Sequence, residues 1–436
     1  MAIMAFVLLA LSVVLGGASR ENALPLALVE LAATPLLVIA GRRLIASGAW
    51  REHKFPLALL AGLVAVPLLQ LLPLPFGLWR QLPGRAPVAA VADLAGAAPA
   101  WATFSLTPEA TWRAVLALIP PAAMFLAALT VSSDARRRMA VGYLLAAILS
   151  LLLGALQLLG GVDGPFYPYA STNYGSAVGL FANRNHLAAL LVASLPLAGV
   201  FVGEALSSRR RDRSLRMVLA GLFYLLVLVG IASVRSRAGI LLAGPALVAS
   251  LLIVWRTTGA RRTTPAVLGV AGVSAAALAA VALFALNPIL ARFDEQGPEG
   301  RFETWPTITQ AADAHLPLGA GVGAFDVVYR TVEPLESVGE TFLNHAHNDF
   351  LETWLETGWL GAAVLAGFVA WWAKRSWRAW TADGGDLARA ASAAIALLLL
   401  HSAADYPLRT ETLAVFLAFC CAVLERGGAR QRRTPA

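Results

Sequence analysis

Long apolar stretches recur along the whole chain and constrain its fold more than any other feature. A stretch of roughly 20 apolar residues crosses the hydrocarbon core of a bilayer as a helix. Of the 436 residues, 58% are hydrophobic and 14% are charged, against about 25% charged residues in an average soluble domain. This composition excludes a water-soluble globular enzyme and is too apolar for a disordered chain. We predict an all-α polytopic membrane protein, a single integral membrane domain over residues 1–436, with about twelve transmembrane helices. The predicted spans are 2–19, 23–41, 55–74, 112–131, 139–161, 185–203, 217–234, 238–255, 265–286, 352–373, 389–405 and 408–425.

The basic residues predict the orientation of these helices. Of the 34 Lys and Arg residues, 23 lie in one set of alternate loops and in the C-terminal tail, although the opposite loops are longer in total. The positive-inside rule assigns that basic set to the cytoplasm. We therefore predict that both termini are cytoplasmic and that the net charge of +8 reflects topology, with no nucleic acid as partner. The basic ranges are 42–54, 136–138, 209–216, 256–262, 374–389 and 426–433.

The opposite, outer side carries three longer segments that membrane topology does not explain. They are a Pro-rich first segment at 75–111, a second segment at 162–184 rich in Gly, Tyr and Asn, and a large loop at 287–350 before helix 10. Loops longer than about 15 residues are usually functional or disordered. The large loop is rich in aromatic residues, carboxylates and glycine, so we expect it to be ordered.

A hinge with two arginines connects two of the predicted spans. Arg235 and Arg237 lie in the sequence Ser-Val-Arg-Ser-Arg-Ala-Gly at 233–239, on the outer side. Guanidinium groups bind phosphate oxygens bidentately and keep their charge, which suits a diphosphate at the level of the lipid headgroups. The alternative is an anchor that binds ordinary lipid phosphates. Four other arginines lie beside span ends, and we expect their side chains to snorkel to the membrane interface. They are Arg20, Arg80, Arg85 and Arg409.

The large loop ends in a cluster of polar residues. Its sequence, Asn-His-Ala-His-Asn-Asp-Phe-Leu-Glu at 344–352, contains His345 and His347 just before a predicted span. Asn348 or Asp349 is placed to cap that helix. A histidine here is suited to acid–base catalysis near neutral pH. Two alternatives are a zinc site, for which no third ligand has a recognisable spacing, and a polar cap with a structural role.

Two further clusters lie on the same side. Asn183, Arg184 and Asn185 open the span at 185–203, and Arg301 precedes a glycine-rich stretch at 317–325. No strand and no Gly-Lys-Ser/Thr accompanies those glycines, so a nucleotide-binding loop is excluded. ATP is normally absent outside the bacterial cytoplasm, so the energy for a reaction there must come with the substrate. A lipid-linked sugar diphosphate carries its own activated leaving group.

Together these motifs resemble the O-antigen ligase/polymerase superfamily of bacterial envelope glycan assembly, over roughly residues 60–425. The most specific match is His347-Asn348 and, after nine intervening residues, Gly358-Trp359-Leu360-Gly361. Further matching motifs are Phe-Ala-Asn-Arg-Asn-His at 181–186, Ser-Arg at 236–237, Arg301 before Pro-Leu-Gly-x-Gly-x-Gly-x-Phe, Leu-Pro-Leu-Pro at 72–75, and Asp-Tyr-Pro-Leu-Arg at 405–409.

The resemblance implies a metal-independent membrane glycosyltransferase without a cofactor, in the bacterial inner membrane, whose active site faces the periplasm. Its donor is a glycan on undecaprenyl diphosphate, supplied by a lipid-linked glycan flippase. His347 orients or deprotonates the acceptor hydroxyl, while Arg237 and Arg301 bind the donor diphosphate with Arg235 as a helper. The supporting residues are His345, Asn348, Asp349, Asn183, Arg184 and Asn185.

The acceptor stays open in this interpretation. A ligase transfers the glycan to lipid A-core, a polymerase transfers it to another lipid-linked repeat unit, and a third branch glycosylates proteins. The motif at 181–186 and the Pro-rich first segment favour the ligase-related branch that includes exopolysaccharide polymerases. A secondary transporter with twelve helices is the alternative of a different class, but the sequence shows neither repeated halves nor charges near the centres of the spans.

Overall fold

In the computed structural model of the protein, helices dominate the architecture. The structure describes residues 1–18, 23–207, 213–258, 272, 300–338, 342–382 and 385–427. In chain order the described elements are α1 Ala2–Leu15, α2 Ala23–Ala46, α3 Lys54–Gln70, β1 Pro73–Pro75, α4 Phe76–Trp79, α5 Ala86–Leu94, β2 Trp101–Thr103, α6 Pro108–Ala117, α7 Ile119–Thr130, α8 Ser133–Gly160, α9 Arg184–Ser207, α10 Arg213–Val234, α11 Arg237–Thr258, α12 Gly300–Ala314, α13 Phe325–Val332, α14 Asp349–Thr381, α15 Asp386–Ser402 and α16 Glu411–Arg426.

The long helices confirm an all-α polytopic membrane protein. Eight helices of the described chain are long and apolar enough to cross a membrane. The predicted span at 265–286 lies outside the described residues, Gly272 excepted, and each of the other predicted spans coincides with one or two helices. Helices α1, α15 and α16 have only 14, 17 and 16 residues, fewer than the roughly 20 that span the hydrocarbon core. The count of twelve and the orientation therefore stay predictions.

Prolines follow the end of the helix in one predicted span and lie at a short break inside another. The span predicted at 55–74 ends at Gln70, and Pro73–Pro75 instead pairs antiparallel with Trp101–Thr103. The span predicted at 112–131 is interrupted at Leu118, directly before Ile119 and two consecutive prolines. Because proline has no backbone N–H to donate, it ends or interrupts the helical ladder.

Helix α9 forms the centre of the bundle. Nearly all of its residues are buried, whereas α2, α10 and α14 bury only part of their surfaces. Its buried side chains are mainly alanine and leucine, and it packs against α8, α10, α11 and α15. A helix that is apolar all round is expected to be surrounded by protein. Because α9 lies at the centre of the bundle, its polar first turn is buried among other chain segments.

The glycine-rich stretch after α12 packs directly onto α14. The backbone N–H groups of Ala320 and Gly321 donate to the carbonyl oxygens of Leu355 and Glu356, each at 2.9 Å. Helix α14 is interrupted at Gly358, where φ is 55°, and a Cβ atom there would lie 2.3 Å from the carbonyl oxygen of Pro317. Only glycine combines this backbone conformation with so close an approach. These glycines bring two chain segments together.

The first outer segment is attached to the same stretch through a buried arginine. Arg85 is 1% exposed and donates to the carbonyl oxygens of Phe104 at 2.8 Å and Gly319 at 3.2 Å. Burial lowers the pKa of Arg85 to about 10, so it remains charged at neutral pH. The snorkelling expectation was therefore wrong for Arg85, because carbonyl oxygens replace its water; Arg20 lies outside the described residues.

Candidate functional site

His347 and Asp405 form a hydrogen-bonded pair where the N-terminal end of α14 meets the C-terminal end of α15. His347 lies two residues before α14 with φ of 49°, and Asp405 follows the end of α15. The Nδ1 atom of His347 lies 3.0 Å from Oδ1 of Asp405, whose side chain is 1% exposed. Because a carboxylate only accepts, Nδ1 carries the proton in this bond. In the neutral ring the lone pair is then on Nε2, the nitrogen that does not contact Asp405.

Asp405 is also bound by two further N–H groups. The side-chain amide of Asn185, in the first turn of α9, donates to Oδ2, and the backbone N–H of Tyr406 donates to Oδ1 at 3.0 Å. A buried carboxylate is costly unless such donors satisfy it. These bonds hold Asp405 in place beside the Nδ1 atom of His347.

Tyr406 packs between three histidine rings. Its ring centroid lies 4.3 Å from that of His345, 4.9 Å from that of His347 and 5.0 Å from that of His186. Burial, together with the neighbouring Asp405, raises the pKa of Tyr406 to about 12, and its side chain hydrogen-bonds Asn344 and Asn183. The phenol is thus a neutral hydrogen-bonding group that fixes the position of both histidines of the large loop.

His345 has a different environment from His347. Its Nδ1 atom lies 2.7 Å from Oε1 of Glu352, and the other carboxylate oxygen of Glu352 accepts from the backbone N–H of Ala346 at 2.8 Å. Glu352 therefore holds the loop between the two histidines against the first turn of α14. This contact holds the loop in place, and Asp405 pairs with His347.

Arg409 connects three carboxylates on one face of α14. Its guanidinium lies 2.9 Å from Glu356, 3.3 Å from Glu352 and 3.6 Å from Asp349. The expectation that Arg409 snorkels to the interface was therefore wrong: the i, i+3 and i+7 spacing of these acids on α14 creates a charged surface for one arginine. Glu356 also accepts from the backbone N–H of Gly323 at 2.8 Å, which ties the glycine-rich stretch to the same group.

The helix cap predicted at 348–349 is made by Asn348. Its side-chain oxygen accepts from the backbone N–H groups of Phe350 and Leu351 at 3.0 and 3.1 Å. Asp349 instead accepts from the Ser402 hydroxyl at 2.7 Å.

Within the described part of the chain, no group of three or more His, Cys, Asp or Glu side chains has a metal-binding arrangement.

The polar cluster at 183–185 lies beside His347, about 160 residues away in sequence. Asn183 accepts from the backbone N–H of Asn185 at 2.9 Å, and Asn173 accepts from the backbone N–H of Arg184 at 3.0 Å. These residues line one pocket of about 260 Å³ together with His347, Asn344 and Tyr406. Two of the clusters that the sequence singled out therefore form one site.

The arginine hinge begins helix α11 next to α9. The Ser236 hydroxyl accepts from the backbone N–H of Gly239 at 3.2 Å, so Ser236 is the cap and Arg237 the first helical residue. Arg235 is exposed with φ of 52°, and Arg237 is half-buried. A Cβ atom on Gly239 would lie 2.6 Å from Cβ of Ala188, which brings the start of α11 against the first turns of α9.

The position of the Arg301 side chain relative to the site stays a prediction. The backbone of Arg301 belongs to the first turn of α12, but its side chain lies outside the described residues. The roles assigned to all the predicted site residues likewise stay predictions, although His347, Asn183, Arg184 and Asn185 meet at one pocket.

Sequence reasoning missed two residues of this site, Asp405 and Tyr406. The motif at 405–409 was recognised as similar to the superfamily, but no role followed from it. The available signal was a carboxylate at the last residue of a predicted span, because ionisable groups at the membrane boundary usually have a specific reason to be there. Its partner lies 58 residues earlier in the chain, so local spacing could not identify the pair.

A polytopic helical membrane protein with a polar site at the ends of its central helices is the class that the fold defines. The family model described as O-antigen ligase matches residues 220–366. The match includes Arg235, Arg237 and His347 and confirms the resemblance to the O-antigen ligase superfamily. It indicates an enzyme of the membrane glycosyltransferase type and lipid-linked glycans as substrates in general. No curated protein sequence matches the chain.

Proposed function

We propose that the protein transfers a glycan from undecaprenyl diphosphate to an acceptor hydroxyl at the periplasmic face of the inner membrane. The observation that carries this proposal is the pair of His347 and Asp405, 3.0 Å apart, opening into a polar pocket. A histidine oriented by a buried carboxylate is the usual arrangement for removing a proton from a hydroxyl. The O-antigen ligase match supports the reaction class.

The proposed chemistry begins at Nε2 of His347. The acceptor hydroxyl transfers its proton to Nε2 while its oxygen attacks the anomeric carbon of the donor. The bond between that carbon and the phosphate oxygen breaks, and undecaprenyl diphosphate leaves with the electron pair. Attack from the face opposite the leaving group inverts the anomeric carbon. Asp405 stabilises the imidazolium that forms, because its negative charge lies next to Nδ1.

The donor diphosphate is assigned to the arginines of the hinge and of α12. Arg237 occupies the first turn of α11, where the helix dipole also favours an anion. Arg301 occupies the first turn of α12, and Arg235 precedes α11 by two residues. Together they would neutralise the charge that develops on the leaving diphosphate. We assign no metal ion or cofactor to this step.

Either lipid A-core or a second lipid-linked repeat unit is a consistent acceptor. Both offer a sugar hydroxyl to the same base, and a flippase would supply the donor in each case. The envelope glycan profile of a deletion strain separates the two and tests the proposal. A lost lipid A-core ladder with long lipid-linked polymer would identify a ligase, whereas single repeat units alone would identify a polymerase. A profile identical to that of the complemented strain would refute the proposed function.

Arg237→Lys is expected to lower transfer by about 10²–10³-fold, the usual cost of removing one transition-state donor. Lysine keeps the charge but cannot make two parallel hydrogen bonds to a diphosphate. The measurement is donor turnover in purified protein, with Arg235→Lys as the matched control on the same hinge and a smaller expected loss. Full activity of Arg237→Lys would eliminate the bidentate contact.

Prolonged treatment with EDTA is expected to leave transfer unchanged, because His347 and the arginines supply the base and the charge neutralisation that a metal ion would otherwise provide. The assay is donor turnover before and after chelation, with buffer alone as the control. Activity that disappears with EDTA and returns with zinc or magnesium would instead support a metal site at His345 and His347.

A further inference from the structure

The pocket beside His347 is small, polar and lined from four separate parts of the chain. Its volume is about 260 Å³, below the roughly 300–1,000 Å³ of pockets that hold drug-sized ligands. The second outer segment contributes Ser171 and Asn173, the start of α9 contributes Asn183, and the remaining wall includes Asn344, His347 and Tyr406. A space of this size suits a single sugar ring.

The chemistry of the lining also fits a sugar. Each asparagine side chain offers both donors and an acceptor, and the serine and tyrosine hydroxyls do both as well. Sugar hydroxyls have the same dual character, so each finds a partner in such a wall. Among the described lining residues, Arg184 has the only fixed charge and no carboxylate is present. The pocket is therefore matched to a ligand rich in hydroxyls and is unsuited to a cation.

The position of the base distinguishes the acceptor from the donor. Nδ1 of His347 is held by Asp405 and His347 lines the pocket, which leaves Nε2 as the ring nitrogen for a bound ligand. The hydroxyl that loses its proton belongs to the acceptor, and the hinge arginines proposed to bind the donor diphosphate are absent from the pocket lining. We propose that this pocket binds the acceptor sugar ring that carries the reacting hydroxyl, and that Ser171 and Asn173 make the second outer segment an acceptor-recognition element. This proposal rests on the proposed function.

The proposal is tested with Ser171→Cys in the full-length protein. Ser171 is exposed and lines the pocket, and the two natural cysteines, Cys420 and Cys421, are buried. A maleimide that does not cross membranes is applied with and without ligand, and the labelling rate is measured. The matched control is Ser337→Cys, which is exposed on the large loop and does not line the pocket. The probes are the repeat-unit oligosaccharide released from its lipid, delipidated core oligosaccharide, and undecaprenyl diphosphate without sugar.

One of the two oligosaccharides is expected to slow labelling at Ser171→Cys by about tenfold when present at ten times its dissociation constant. Undecaprenyl diphosphate should have no effect there, and the control should be labelled equally in all samples. Protection by undecaprenyl diphosphate instead, or no protection by either oligosaccharide, would overturn the acceptor pocket. Absence of donor turnover in the wild-type protein would refute the proposed function itself, which separates the two failures.

Discussion

His347→Asn is expected to lower glycan transfer by about 10²–10⁴-fold, the usual contribution of a positioned general base. Asparagine is among the residues that best tolerate the positive φ of 49° at this position, so the backbone of the loop should be retained. Its side-chain amide can still donate to Asp405, but it has no lone pair able to take a proton at neutral pH. The loss should therefore fall on turnover rather than on the amount of folded protein in the membrane. The measurement is the turnover number with the lipid-linked donor.

His345→Asn is the matched comparison, two residues away in the same loop. The Nδ1 atom of His345 contacts Glu352, and we propose a supporting role for this histidine. Its variant is expected to lose less turnover and more stability than His347→Asn. Equal turnover of wild type and His347→Asn would remove the base from the mechanism, and a larger loss of turnover at His345 would exchange the two roles.

Asp405→Asn is expected to lower turnover by up to about 10⁴-fold, as when the orienting aspartate of a Ser-His-Asp triad is replaced by asparagine. The substitution keeps the shape of the side chain but removes the charge that stabilises the His347 imidazolium. An amide can also donate to Nδ1, which would move the proton of the neutral ring to Nε2 and remove the base. The KM for the donor should be nearly unchanged, because Asp405 acts through His347.

The KM for the donor and the pH profile separate this role from a structural one. If Asp405 orients His347 and stabilises its protonated form, Asp405→Asn changes the pH dependence of turnover. Simple misfolding instead lowers the amount of active protein without shifting the pH profile. Asp93→Asn is the matched control: Asp93 is half-exposed and pairs with Arg80 at 2.5 Å, and exposed pairs contribute only about 0–1 kcal/mol. Wild-type turnover in Asp405→Asn would contradict the orienting role of Asp405.

The fold was predictable from the sequence because membrane helices need long apolar stretches. The helix boundaries were less predictable, because they depend on the contacts that the chain makes after the apolar stretch. Pro73–Pro75 continues the apolar pattern of α3, but its prolines favour an extended strand that pairs with Trp101–Thr103. The apolar content alone could not distinguish the two.

The candidate site was only partly predictable. His347 and the cluster at 183–185 were identified because unusual polar residues preceded apolar spans. Asp405 reaches them through contacts across 58 and 220 residues of sequence, which no local period encodes. Arg85 and Arg409 were misinterpreted for the same reason: their partners are carbonyl and carboxylate groups of distant segments.

Turnover of a purified donor tests the central claim, glycan transfer by the His347 base, most directly. Wild-type protein and His347→Asn are placed in lipid nanodiscs with a repeat unit on undecaprenyl diphosphate and with either lipid A-core or a second lipid-linked unit as acceptor. Released undecaprenyl diphosphate and newly linked glycan are both quantified. We expect the wild type to release one lipid diphosphate for each glycosidic bond formed and the variant to form almost none. Absence of transfer by the wild type with both acceptors, or equal transfer by the two proteins, would contradict this claim.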